Sequence, residues 1–272
     1  MADERNKNAA LAAYVDSGVD TVGGLLQSGS IAVLWSLIEL QDAFAVAGDV
    51  AEIGVFQGKT FLMLAHGLNK GERAFAIECF GQPPGSDEET FETFHANMAR
   101  FGYAEACETI VADSGTLDAA SLRARLGANI RLFSVDGAHG HGAVMHDLAL
   151  AESVLAPGGV IAADDLFNPW WPGTTEAIYD FLRSTTHDLV PIALVAANGP
   201  IETGAGKLML ARASHASRYK AGLKLLNQPD LKHCDPFAGF ADVPCFYFSA
   251  TPQRWPLDAR LRKILMEIAP GP

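Results

Sequence analysis

The sequence lacks paired cysteines. Its four cysteines show no CxxC pair and no zinc-like spacing; they are Cys79, Cys107, Cys234 and Cys245. A disulfide framework and a zinc-bound fold are therefore disfavoured, and we expect reduced thiols, as in a cytosolic protein.

Dense basic runs and long apolar segments are also missing. The formal net charge is −12, and a phosphate backbone repels such a surface, so no nucleic-acid partner is expected. The most apolar region, near residues 31–50, is interrupted by polar and acidic side chains, and the N-terminus "MADERNKNAA" has no apolar signal segment. We therefore expect no membrane partner and a cytoplasmic location.

What is present is an alternation of short β-rich runs with helical patterns, which indicates parallel strands joined by helices. The 272 residues are 49% hydrophobic and 19% charged, which is ordinary for a soluble enzyme. We predict an α/β fold with a doubly wound, mostly parallel, seven-stranded Rossmann-like sheet. Helices are expected on both faces of this sheet, and a C-terminal extension is expected after it.

The predicted organisation has three parts. Residues 1–46 form a helical segment with a break at Ser28–Ser30, and residues 47–212 form the central domain. Residues 213–272 are an extension that serves as a lid or an oligomer contact.

The stretch "AEIGVFQGKT", residues 51–60, has two interpretations. Its end resembles a phosphate-binding P-loop, whereas its start suits a nucleoside-binding turn. A P-loop needs four residues between its glycines, but only three separate Gly54 from Gly58. The dinucleotide fingerprint fails as well, because Phe56 stands where it needs glycine. A nucleoside-binding turn or a plain glycine-rich turn remains.

Polar residues also end the next two predicted strands. Glu78 can accept hydrogen bonds from ribose hydroxyls, and Asp113-Ser114 can contact an adenine edge. Taken singly, these are equally a solvated glutamate and an N-cap pair. Taken together they favour a cofactor site, whose predicted residues are Glu52, Gly54, Phe56, Gly58, Glu78, Asp113, Ser114 and Asp136.

An acidic cluster follows strands four and five. "SVDGAHGHG" places Asp136 and His139 after one strand, and "AADDLFNPWWPG" places Asp164 and Asp165 after the next. Three neighbouring carboxylates repel one another unless a cation lies among them, and oxygen ligands favour Mg²⁺ or a similar ion. We predict metal ligation by Asp136, Asp164 and Asp165. The alternative is that Asp164 binds the nucleoside and Asp165 caps a turn.

The same region supplies candidate catalytic and substrate residues. His139 is the predicted general base, since histidine commonly takes protons near neutral pH, and Asp136 is predicted to act with it. Trp170 and Trp171 are predicted to contact the acceptor substrate or to form an aromatic lid.

The chain resembles a class I S-adenosylmethionine-dependent methyltransferase in five stretches, which follow one another in this order: "AEIGVFQGKT", "AIE", "VADS", "SVDGAHG" and "APGGVIAADD". The closer resemblance is to the metal-dependent macrocin O-methyltransferase-like family, which modifies antibiotic sugars. It implies S-adenosylmethionine binding by residues 47–212, Mg²⁺ on Asp136, Asp164 and Asp165, and a base at His139. Many members carry a second acid where this chain has Ala138, which puts a sugar acceptor in question.

The predicted function is therefore S-adenosylmethionine-dependent, Mg²⁺-dependent O-methylation of a small-molecule hydroxyl, of the sugar or natural-product type. A cephalosporin-hydroxylase-like enzyme and a non-catalytic nucleoside-binding protein of the same fold are the alternatives. We also expect a homo-oligomer.

Overall fold

The computed structural model describes residues 2–184, 187–249 and 259–268. Within these ranges the strands are β1 (Asp49–Ile53), β2 (Ala74–Glu78), β3 (Cys107–Val111), β4 (Ile130–Val135), β5 (Leu155–Leu166), β6 (Leu189–Val195), β7 (Gly206–Arg212), β8 (Leu231–Phe237) and β9 (Phe240–Phe246). The α-helices are α1 (Ala2–Ala13), α2 (Ser28–Ala43), α3 (Lys59–Ala65), α4 (Glu88–Arg100), α5 (Ala119–Leu126), α6 (His141–Ser153), α7 (Pro172–Arg183), α8 (Ala213–Leu226) and α9 (Ala259–Ile268). None of these helices has the length and apolarity that crossing a membrane requires.

One sheet organises the molecule, with strand order β3-β2-β1-β4-β5-β7-β6-β9-β8. Strands β1 to β5 are parallel, and β7 is antiparallel to both β5 and β6. The predicted doubly wound, mostly parallel sheet is confirmed, but the described residues form nine strands rather than seven. The two additional strands come from the predicted C-terminal extension, where β9 pairs in parallel with β6 and β8 forms the edge. The strand β8 was not predicted, because its sequence "LKHCDPF" is polar. An edge strand tolerates such charged residues and proline.

Helices cover both faces of the sheet, as predicted. On one face α2, α3, α4 and α8 pack into a core that contains Leu34, Phe61, Phe94 and Tyr219. On the other face α5, α6 and α7 bury an equivalent set that includes Leu122, Leu148 and Ile178. The central strands are apolar on both sides because both sides are covered.

The N-terminal helical segment breaks at a different place from the one predicted. Ser28–Ser30 form the first turn of α2, and the non-helical backbone precedes them, ending at Gln27 with an extended ψ of 153°. Serine and glycine at this point begin a helix instead of interrupting one, consistent with the preference of serine for helix starts. The domain boundaries at residues 46 and 212 stay predictions.

Candidate active site

A cavity of about 650 Å³ opens at the edge where the parallel strands end. This is the edge at which doubly wound sheets bind ligands. The predicted site residues that line it are Gly54, Phe56, Glu78, Asp113, Ser114, Asp136, His139, Asp164, Asp165, Trp170 and Trp171. Two predicted site residues, Glu52 and Gly58, do not line it.

The turn after β1 depends on Gly54. Its φ is +85°, and a Cβ at this position would lie 1.8 Å from the carbonyl oxygen of Asp136. The Asp136 N–H also donates to the carbonyl of Ile53 at 2.9 Å, so the backbones that leave β1 and β4 cross in contact. A side chain at Gly54 would separate the two halves of the cavity floor.

Gly58 packs closely against α4, and its predicted place among the cofactor-binding residues stays a prediction. Its φ is +97°, and a Cβ there would lie 2.8 Å from the Cε of Met98 on α4. The residue that faces the cavity from this turn is Phe56, whose ring is half-exposed.

Glu78 is held by the backbone on the cofactor side of the cavity. Its Oε2 accepts from the Phe56 N–H at 3.0 Å, and its Oε1 accepts from the Cys79 N–H at 2.9 Å. Asp113 caps the following turn through the Gly115 N–H at 2.9 Å, the alternative role given for it, and it also lines the cavity. Carboxylates fixed in this way present their remaining lone pairs to a ligand.

Glu52 lies inside the protein, and its predicted place among the cofactor-binding residues stays a prediction. Its side chain is 1% exposed, and it does not reach the cavity lining. Burial raises the pKa of Glu52 to about 8, against the opposing influence of Lys207. Glu52 is therefore a protonatable group below the site.

Three side chains after β4 and β5 converge in the cavity. His139 Nε2 lies 2.6 Å from Asp165 Oδ2 and 4.0 Å from Asp136 Oδ1. Ligating atoms of the three residues all lie within 4.8 Å of one another. Burial raises the pKa of Asp165, but hydrogen bonds from His139 and Asn168 outweigh it and leave that pKa below its ordinary value. Burial and then the Asp164 carboxylate raise the pKa of Asp136 well above its ordinary value.

Asp164 has a different partner, which corrects the predicted ligand set. Its Oδ2 forms an ion pair with the Nζ of Lys207 on β7, and it is not part of the three-residue group. Lys207 is 1% exposed. Burial lowers the pKa of Lys207, but Asp164 and then Asp136 more than offset this effect, so the pKa is raised and the amine stays charged.

The backbone at the end of β5 explains how two adjacent acids take different partners. Asp165 has a φ of +60°, and the pairing of β5 with β7 shifts register between Ala163 and Leu166. The Asp165 N–H donates to Asp164 Oδ1 at 2.8 Å. This irregularity turns Asp165 towards His139 while Asp164 faces Lys207.

The loop after β5 contacts both Asp165 and His139. Asn168 donates from Nδ2 to Asp165 Oδ1 at 2.7 Å and accepts from the Trp170 N–H at 2.9 Å. The Trp171 ring stacks on the His139 ring, with centroids 5.0 Å apart and planes 14° from parallel. Both tryptophans line the cavity, in the place predicted for an acceptor contact.

The wall opposite these tryptophans comes from two segments that sequence reasoning did not assign to the site. Gly24 and Leu25 line the cavity together with Ile201 and Gly204. Gln27 joins the two segments, since its Oε1 accepts from the Asn198 N–H and its Nε2 donates to the Gly204 carbonyl. No local pattern announces such a contact between distant segments. Lys207 did carry a signal, as the lone charge inside the apolar run "GKLMLA".

Residues 51–166 match a family model described as "Methyltransferase domain". These residues are therefore similar to a methyltransferase domain. The match begins in β1 and ends at the last residue of β5, so it spans the strands whose ends form the cavity floor. The methyltransferase prediction is confirmed, whereas the narrower macrocin-like family stays a prediction. No curated protein matches the chain.

Solved structures with similar folds include several O-methyltransferases. This chain is 18% identical to the O-methyltransferase TomG from Streptomyces achromogenes, which is involved in tomaymycin synthesis and was solved with SAM. The similarity covers 78% of this chain and 99% of that one, with a TM-score of 0.52. A putative O-methyltransferase from Klebsiella pneumoniae is 16% identical over 76% and 89%, with a TM-score of 0.54. The O-methyltransferase from Bacillus cereus, solved with SAH, is 16% identical over 78% and 96%, with a TM-score of 0.53. These similarities agree with the class I fold.

Proposed function

We propose that the chain is an S-adenosylmethionine-dependent O-methyltransferase that acts on a hydroxyl of a small molecule. The domain at residues 51–166 supports methyl transfer, and similar structures solved with SAM or SAH support the cofactor. The observation that carries transfer to oxygen is the His139–Asp165 pair in the cavity, at 2.6 Å, because a hydroxyl acceptor must lose a proton.

The strand-end acids suit the methyl donor. S-adenosylmethionine, when bound, supplies a methyl group carried on a positively charged sulfur. Glu78 accepts the ribose hydroxyls, and Asp113 with Ser114 contacts the adenine. The acidic cavity lining as a whole favours a positively charged ligand over an anionic one.

His139 acts as the base, and Asp165 orients it. Because Asp165 accepts from Nε2–H, the neutral imidazole carries its lone pair on Nδ1. His139 Nδ1 would take the hydroxyl proton of the acceptor, and S-adenosylmethionine would supply the methyl group to the acceptor oxygen and leave as the neutral thioether. The Asp165 carboxylate then stabilises the imidazolium.

A divalent cation such as Mg²⁺ is the second proposed cofactor. Asp136 and Asp165 would hold it, because their oxygens suit a hard cation and lie with His139 in one group of ligating atoms within 4.8 Å of one another. Bound there, the cation would polarise the acceptor hydroxyl. His139 belongs to the same group of ligating atoms, so metal ligation by His139 would compete with its role as the base.

Calorimetric titration with S-adenosylmethionine, NAD and ATP tests the cofactor assignment. We expect saturable binding of S-adenosylmethionine only. Binding of NAD or ATP in its place would overturn the proposed function. With the cofactor bound, mass spectrometry of hydroxyl compounds incubated with the enzyme should show a gain of one methyl group on oxygen.

A further inference from the structure

Four large apolar side chains of the cavity lining are exposed. Leu25, Phe56, Trp170 and Trp171 all line the cavity, with exposed fractions of 52%, 48%, 51% and 46%. Scattered exposed apolar residues are ordinary, but large side chains gathered around one cavity indicate a surface that a ligand covers. The two indoles, one of which stacks on His139, favour a flat acceptor.

The charges in the cavity restrict the acceptor to molecules without a negative charge. The carboxylates that line it are Glu78, Asp113, Asp136, Asp164 and Asp165. Among the lining residues that the structure describes there is no lysine or arginine, and the nearby Lys207 is buried against Asp164. A phosphate or carboxylate on the acceptor would face repulsion with no cationic side chain to offset it.

The proposed base lies directly beside the aromatic surface. The ring of His139 stacks on the ring of Trp171, with centroids 5.0 Å apart, and both residues line the cavity. An aromatic acceptor that packs on the indoles would therefore bring a hydroxyl on its own ring close to His139.

We propose that the acceptor is a neutral phenol or catechol whose ring packs on Trp170 and Trp171. This inference rests on the proposed O-methyl transfer and names its substrate class. It departs from the sugar acceptor that the sequence resemblance implies, because a sugar presents no flat aromatic face to the indoles.

A panel of acceptors tests the substrate class, with S-adenosylhomocysteine formation as the readout. Catechol, 3,4-dihydroxybenzoate, methyl glucoside and a nucleotide-linked glucose are offered to the full-length enzyme with Mg²⁺. We expect kcat/KM for catechol to exceed that for its carboxylated analogue by at least about tenfold, with little turnover of the two sugars. Preference for a sugar, or no transfer to any phenol by enzyme that binds S-adenosylmethionine, overturns the acceptor class. Absence of S-adenosylmethionine binding overturns the proposed function instead.

Variants of the two tryptophans test where the aromatic ring of the acceptor binds. Trp170→Ala and Trp171→Ala should each raise KM for catechol by roughly three- to tenfold, while the affinity for S-adenosylmethionine stays unchanged. Trp171→Phe keeps an aromatic face and should retain most of the affinity for catechol. Tyr247→Ala is the control, since Tyr247 is 41% exposed but lies outside this cavity. A KM rise as large in Tyr247→Ala, or none in either tryptophan variant, contradicts the proposal.

A charge added at the rim tests the electrostatic part. Leu25→Arg places a cation at the cavity opening and should raise kcat/KM for 3,4-dihydroxybenzoate relative to catechol by roughly tenfold. An unchanged ratio would show that repulsion by the lining acids does not select the acceptor.

Discussion

Replacing Lys207 with methionine should destabilise the protein by about 3 to 5 kcal/mol, because it removes one member of a buried ion pair. Methionine has nearly the length of lysine, so it fills the space while removing the charge. Asp164 would be left in the interior at 9% exposure without its cation. Asp136 and Glu52 would also lose a positive neighbour that holds down the pKa of each carboxyl.

Urea unfolding measures this loss. With a slope of about 2 to 3 kcal/mol per M, the midpoint should fall by about 1 to 2.5 M. The matched control is Lys224→Met, which breaks an exposed pair with Asp242 at 3.5 Å and should cost less than about 1 kcal/mol. A loss in Lys207→Met no larger than in this control would refute the buried ion pair.

A second variant separates the charge from the packing. Adding Asp164→Asn to Lys207→Met removes the unpaired carboxylate but keeps an acceptor for the Asp165 N–H. The double variant should recover most of the lost stability, because removing both charges is far less costly than leaving one alone. If it stays as unstable as Lys207→Met, the cost lies in packing, and the electrostatic explanation fails.

Three further predictions concern the site. His139→Ala should lower turnover by roughly 10²- to 10⁴-fold with unchanged affinity for S-adenosylmethionine. The control His141→Ala, at an exposed position, should remain active. Near wild-type rates for His139→Ala would exclude His139 as the base. EDTA should abolish activity and Mg²⁺ should restore it. Full activity in EDTA would exclude a metal requirement and leave Asp136 as an acid of the cofactor site. Since the pKa of Glu52 rises from 4.5 to about 8 on folding, the native state keeps a proton that the unfolded chain releases, and wild-type stability should fall as the pH rises through that window. Glu52→Gln should lack this fall in urea unfolding at several pH values; parallel pH profiles would contradict the assignment.

Most of the sheet was predictable from sequence because buried parallel strands read as short apolar runs. "AFAIE" and "IRLFSV" are β2 and β4 almost to the residue. The strand that escaped prediction, β8, differs in its environment. It lies at the edge of the sheet and has only exposed and half-buried residues, so its sequence carries little of the apolar signal that marks the centre.

The site was predictable wherever topology alone brings residues together. Glu78, Asp113 and Asp136 line one cavity because they follow parallel strands, and their order along the chain gives their positions. A motif does not state which way a side chain faces, and the motif residues Glu52 and Gly58 do not line the cavity. Lys207 lies on a strand antiparallel to β5, and this pairing is what brings it to Asp164.

The adjacent acids Asp164 and Asp165 show what a sequence pair leaves undetermined. In a regular strand they would point to opposite faces, which makes a shared metal implausible unless the strand has ended. The strand continues to Leu166, but the left-handed backbone at Asp165 breaks the alternation. An aspartate at φ +60° is a strained conformation, sustained here by hydrogen bonds from His139 and Asn168 to its two oxygens. The pair therefore divides its roles: Asp164 anchors the strand end to Lys207, and this anchor sets the position from which Asp165 orients the base.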